Sequence, residues 1–61
     1  MTYLVQTGKG TQAYTNRYIP FESLTRAQMH YFGLNTHSGY KKRLVQIAPD
    51  GTKVIIHRVI T

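Results

Sequence analysis

The sequence predicts a small α+β domain, with an antiparallel four-stranded sheet and one short helix in the order ββαββ. Two observations carry this. "TGKGT" and "APDGT" are turn signals, each set between β-prone runs. Between the two hairpins they imply lies "SLTRAQMHYFGL", which has helix-start and helix-stop residues at its ends. The 61 residues suit one compact domain, 1–61, and its 41% hydrophobic content argues against disorder.

The first hairpin is "TYLVQTGKGTQAYTNRYI". A tight turn at Gly8-Lys9-Gly10 sets Thr7 against Thr11, Val5 against Ala13 and Leu4 against Tyr14. Strand side chains alternate, so Tyr14 and Tyr18 are expected on the face of Leu4, with Tyr3, Val5, Ala13 and Ile19 on the other. Pro20 has no N–H to donate and is expected to end the second strand.

Thr25 and Gln28 have the spacing of a capping box, and Leu24 and Met29 that of a hydrophobic staple. Gly33 is a helix-stop residue. The helix is therefore expected from about Arg26 to Phe32. Two turns do not persist alone in water, so the helix must pack. Met29 and Phe32, with Leu24 and Leu34, are the seam expected to meet the sheet.

After the loop "LNTHSG", Pro49, Asp50 and Gly51 fit successive positions of a bulged hairpin turn. That turn predicts Gln46 against Val54, Leu44 against Ile56, Lys42 against Arg58 and Tyr40 against Ile60. On the other face it predicts Ile47 against Lys53, Val45 against Ile55, Arg43 against His57 and Lys41 against Val59. The face of Tyr40, Leu44, Val54, Ile56 and Ile60 is expected to meet the core. The face of Val45, Ile47, Ile55 and Val59, mixed with Lys41, Arg43, Lys53 and His57, becomes a half-apolar cationic surface. The run "KVIIHRVI" is expected either in the middle of the sheet or paired with its twin in a homodimer, since an open apolar edge invites aggregation.

Eight Lys and Arg against Glu22 and Asp50 leave a formal charge of +6. Such a balance attracts polyanions. Like charges directly across a ladder repel, and a bound anion relieves them. The basic hairpin thus reads as a phosphate-contact surface built from Tyr40, Lys41, Lys42, Arg43, Lys53, His57 and Arg58. A two-stranded ribbon is also narrow enough for a DNA major groove. Lys9 and Arg17 extend the path, while Tyr14 and Tyr18 are candidates for stacking or an interface. The "GKG" of Lys9 is not a P-loop, because its spacing is wrong.

The reading is a non-enzymatic nucleic-acid-binding protein, of DNA or RNA. The alternative is a small regulator or inhibitor that targets an acidic surface of a larger enzyme. In size and charge alone the chain is like small phage- or plasmid-encoded modulators. A metal-independent ribonuclease using His37 and His57 has little support, since only two carboxylates exist to orient them. There is no Cys and no zinc-like ligand spacing, so no disulfide, metal or cofactor is expected. No apolar run approaches the roughly 20 residues of a membrane span, and the first residues do not resemble a signal peptide. The expected location is the cytoplasm.

Overall fold

The computed structural model describes residues 1–35 and 39–60, the side chain of residue 60 excepted. Four strands form one antiparallel sheet: β1 (Thr2–Lys9), β2 (Thr15–Asn16), β3 (Tyr40–Ile47) and β4 (Lys53–Ile60). One helix, α1 (Leu24–Gly33), crosses one face. The spatial order is β2-β1-β3-β4. The α+β class and the ββαββ chain order agree with the sequence. The spatial order puts β4 at an edge, not in the middle of the sheet.

The central pair is β1 with β3, joined over their whole lengths from Thr2 opposite Ile47 to Lys9 opposite Tyr40. Thus the sheet is closed at its centre by a pairing between segments more than thirty residues apart in the chain, as in Gln6 with Arg43.

The first hairpin differs from the tight one expected. Gln6 pairs with Asn16 and Thr7 with Thr15, so a longer loop separates the strands. Gly10 carries φ 59°, and its N–H donates to the Gly39 carbonyl. This ties the loop to the start of β3 and outcompetes the local two-glycine turn. β2 is only two residues long. The chain then follows the edge of β1 loosely: the Arg17 N–H donates to the Val5 carbonyl, and Phe21 exchanges two backbone hydrogen bonds with Tyr3. Pro20 lies in the gap between these contacts and does not end the strand.

Ser23, not Thr25, caps α1. Ser23 is extended, at φ −107° and ψ 124°, and its hydroxyl accepts from the Arg26 N–H at 3.4 Å. Ala27 and Tyr31, one turn apart, point at the sheet, and both are fully buried. Met29 is 70% exposed, and Phe32, 58% exposed, meets the ring of His57 on β4 and not the core, so the expected seam is corrected to Ala27 and Tyr31. Gly33 does not stop the helix with a positive φ; Leu34 ends it in extended conformation, donating to the Tyr31 carbonyl.

The core consists of Val5, Ala27, Tyr31 and Leu44, with Tyr3, Tyr18, Phe21 and Leu34 packed around it. Burying a side chain the size of Val5 or Leu44 contributes about 1.5–3 kcal/mol. An aromatic cluster of Tyr18, Phe21 and His30 joins the segment before α1 to the helix, with the Phe21 and His30 rings stacked at 4.9 Å. Tyr18 therefore lies on the helix side and not with Leu4, and Ile19 is 83% exposed.

The β3–β4 turn forms as its residues require. Gly51 has φ 90°, Ala48 and Thr52 share a backbone hydrogen bond, and the Thr52 N–H donates to the Asp50 carboxylate at 2.9 Å. The expected pairs Ile47–Lys53, Gln46–Val54 and Val45–Ile55 are present. Then the register shifts between Leu44 and Val45, leaving Ile56 as an extra residue. Beyond it Leu44 faces His57, Arg43 faces Arg58, Lys42 faces Val59 and Lys41 faces Ile60. These replace the five pairs the sequence predicts there, from Leu44–Ile56 to Tyr40–Ile60.

Candidate nucleic-acid interface

The bulge at Ile56 decides which cations share a face. Leu44 and Val5 point at α1, so their paired neighbour His57 does too. Arg43, one residue away, points to the opposite face, with Arg58 and Gln6 directly across from it. Lys41 lies two residues along β3 on that side, and Lys53 lies on it through its pairing with Ile47. Four of the five basic residues of the C-terminal hairpin thus occupy the face that α1 does not cover. Both acids lie elsewhere: Glu22 precedes α1, and Asp50 is in the β3–β4 turn.

One rung of this face runs through all four strands: Asn16, Gln6, Arg43 and Arg58. The Gln6 amide donates to the Asn16 side-chain carbonyl at 3.0 Å. Arg43 Nε donates to the Gln6 side-chain carbonyl at 2.7 Å. The Tyr14 ring lies over the Arg43 guanidinium, 4.0 Å from its carbon to the ring centroid, and Lys41 Nζ is 4.5 Å from the same ring. Tyr14 thus stands on the face of Leu4 as expected, though its register differs. Beside this rung, Leu4, Val45 and Ile55 form an apolar one, of which Ile55 is 46% exposed.

Gly8 allows Lys41 and the 10–14 loop to approach. A Cβ there would meet Lys41 Cε at 2.9 Å and the Ala13 and Gln12 carbonyl oxygens at 3.3 Å. The small residue lets the loop fold over the end of the face and bring Tyr14 to the cations.

Lys42 is not part of this surface. It is 6% exposed on the helix side. Its Nζ donates to the Tyr31 carbonyl at 2.7 Å and to the Leu34 carbonyl at 3.0 Å, and lies 4.5 Å from the Tyr31 ring centroid. The carbonyls at a helix C-terminus have no partners within the helix and carry its negative dipole end, so an ammonium suits them. Burial holds the Lys42 pKa below its ordinary value.

His57 also belongs to the helix side. Its Nδ1 is 2.9 Å from the Tyr31 hydroxyl, and its ring meets Tyr31 and Phe32 edge-on. Burial first, then the charge of the Tyr14 phenolate through the sheet, raises the Tyr31 pKa. Lys9 and Tyr40 sit together at the far end of β1 and β3, 5.6 Å from ammonium to ring, beside an open cleft of about 280 Å³. Arg17 lies over Tyr18 at the β2 edge, away from the four hairpin cations. His37 lies outside the described residues, so the His37–His57 pairing is not one the structure describes.

Gln6 and Asn16 are the site residues that charge and composition do not reveal. No local signal marks them, because their place depends on β1 pairing with β3. Compared with family models, curated proteins and solved structures, the chain matches none. Among the described residues no helix is long and apolar enough to cross a membrane.

Proposed function

We propose that the protein is a non-enzymatic nucleic-acid-binding protein that lays its uncovered sheet face on the phosphate backbone. The observation that carries this is the convergence of Lys41, Arg43, Lys53 and Arg58 on one face, with both acids elsewhere. Lys42 drops out of the binding set because its ammonium is committed to the helix end. Lys9 and Tyr40 lie at the far end of β1 and β3 and Arg17 at the β2 edge, apart from these four cations. His57 faces the helix side.

Insertion of the basic hairpin into a major groove is not the mode. β1 flanks β3 along its whole length, so β3 and β4 are not a free ribbon. Four strands about 4.8 Å apart, with their side chains, exceed a groove about 12 Å wide. The face instead tracks a backbone from outside.

Fluorescence anisotropy with labelled duplex DNA, single-stranded DNA and structured RNA tests the reading at about 50 and about 200 mM salt. Four phosphate contacts give a log–log slope of about −3 to −4 on duplex DNA. Absence of binding at the lower salt overturns it.

A second reading, a regulator that binds an acidic protein, is favoured by different residues. Val54, Ile55 and Ile56 on β4 are 51%, 46% and 39% exposed, and Phe32 and Met29 on α1 are exposed as well. Apolar anchors rimmed by cations suit a protein partner, and such binding is far less sensitive to salt. The open edge of β4 also suits pairing with a second copy.

A further inference from the structure

We infer that Arg43 and Arg58 form a clamp for a single phosphodiester group, with Gln6, Asn16 and Tyr14 as its positioning residues. The inference deepens the nucleic-acid reading and rests on it for the identity of the phosphodiester.

The argument begins with a cost. Arg43 and Arg58 are direct cross-strand neighbours. Two guanidinium groups so placed repel, and among the described residues no carboxylate lies between them. Long side chains in this position ordinarily spread apart into solvent. Arg43 does not have that freedom. Its Nε is bound to Gln6 at 2.7 Å, Gln6 is itself oriented by Asn16 at 3.0 Å, and the Tyr14 ring covers the guanidinium at 4.0 Å. A chain of neutral groups thus holds one cation in place opposite another of the same charge.

Such a chain costs side-chain entropy and has a use if a fixed guanidinium plane is needed. Arginine has five N–H donors in a rigid fork. One of them, on Nε, is taken by Gln6. Among the described residues the donors on the two terminal nitrogens have no hydrogen-bond partner. These are the donors that meet two oxygens of a phosphate side by side. Arg58 supplies a second fork from the neighbouring strand, and Lys41 a point charge held at the same Tyr14 ring. A phosphodiester carries one negative charge and two unesterified oxygens, which matches the fork and relieves the repulsion.

The clamp differs from a diffuse cationic field in one respect: it depends on neutral residues and on arginine rather than on charge alone. The test is a titration of the folded, isotope-labelled protein with dimethyl phosphate, a diester model, at constant ionic strength set with chloride. The Nε–H signals of all four arginines are followed by NMR. The Arg43 and Arg58 signals are expected to shift together and saturate, while Arg17 and Arg26 stay still. Arg43→Lys keeps the net charge, yet is expected to weaken binding about tenfold, the equivalent of one charge-assisted hydrogen bond. Gln6→Ala, which changes no charge, is expected to weaken it in the same direction, and circular dichroism reports whether either variant is folded.

Equal, unsaturable shifts at all four arginines overturn the clamp, as does an Arg43→Lys variant that binds like the parent. The wider reading fails separately. If labelled oligonucleotides do not bind while dimethyl phosphate saturates the Arg43 and Arg58 signals, the clamp stands and its ligand is another phosphodiester. If oligonucleotides bind and Arg43→Lys makes no difference, the nucleic-acid reading stands and the clamp is wrong.

Discussion

The ammonium of Lys42 donates to the carbonyl of Tyr31 across 2.7 Å, so a residue from the middle of a basic run closes the end of the only helix among the described residues. Lys42 and Arg43 are adjacent in sequence, and strand alternation sends them to opposite sides of the sheet. One became part of the fold and the other part of the surface. They are expected to respond differently to the same substitution.

Lys42→Ala removes a buried stem and two charge-assisted hydrogen bonds, leaving the Tyr31 and Leu34 carbonyls without that donor. The expected loss of stability is about 2–4 kcal/mol. Arg43→Ala, on a solvent-facing side, is expected to cost about 1 kcal/mol or less. Urea denaturation of the two variants measures the difference. A Lys42→Ala variant as stable as Arg43→Ala would show that the helix end does not need the ammonium.

The pH dependence of stability follows from two groups with opposite signs. Burial lowers the Lys42 pKa, so the native state sheds this proton before the unfolded chain does. Its burial cost is therefore present at neutral pH and disappears as pH rises through the folded pKa towards about 10.4, the ordinary value. The Tyr31 pKa is raised, so the unfolded chain ionises first. The stability this gives is full below its unfolded pKa and is lost as pH climbs from about 10 through the raised value. Comparing the urea midpoints of the parent and Lys42→Met between about pH 8 and about pH 11 separates them. Relative to the variant, the parent should gain stability over the lower part of this range. Tyr31→Phe should abolish the fall at the upper end, and no change in either comparison would count against these assignments.

Gly8→Ala tests the approach of the 10–14 loop to β3. The new methyl would sit 2.9 Å from Lys41 Cε, which can swing away, but 3.3 Å from the carbonyl oxygens of Ala13 and Gln12, which must shift with the backbone. Gly8 does not have a positive φ, so the effect is steric rather than conformational. A loss of about 1–2 kcal/mol is expected, with the Tyr14 ring displaced from Arg43 and Lys41. Chemical shifts of the Tyr14 ring and the Arg43 side chain report it. An unmoved ring would mean that the loop has slack.

Self-association through β4 and binding of nucleic acid should respond to salt in opposite directions. Pairing of two apolar edges must overcome the repulsion of two chains that each carry +6, and salt screens that repulsion. Sedimentation is expected to show more dimer as salt rises from about 50 to about 500 mM, and Ile55→Lys is expected to abolish it. A chain that remains monomeric at every salt concentration would remove the β4 edge from consideration.

The sequence by itself determined the class of fold, the number and order of its elements, and the turn at Asp50 and Gly51. Each of these depends on residues within a few positions of one another: a glycine that accepts a positive φ, a carboxylate that meets the N–H two residues on, an alternation of period two. It also determined that the chain is strongly cationic. Tertiary structure decided which strands are neighbours and which side chains share a face. Pairing of β1 with β3 drew the first loop away from its two-glycine turn and set Gln6 beside Arg43. Packing against the sheet made Ala27 and Tyr31 the buried face of the helix, and the cap fell on Ser23 and not Thr25. The extra residue at Ile56 exchanged the faces of everything after it, bringing Arg58 to Arg43 and His57 to Tyr31. A strand's faces have a period of two, so one inserted residue inverts them, and nothing local in "KVIIHRVI" says where the insertion falls. The charge was legible in the sequence; its arrangement was settled by contacts between residues far apart in the chain.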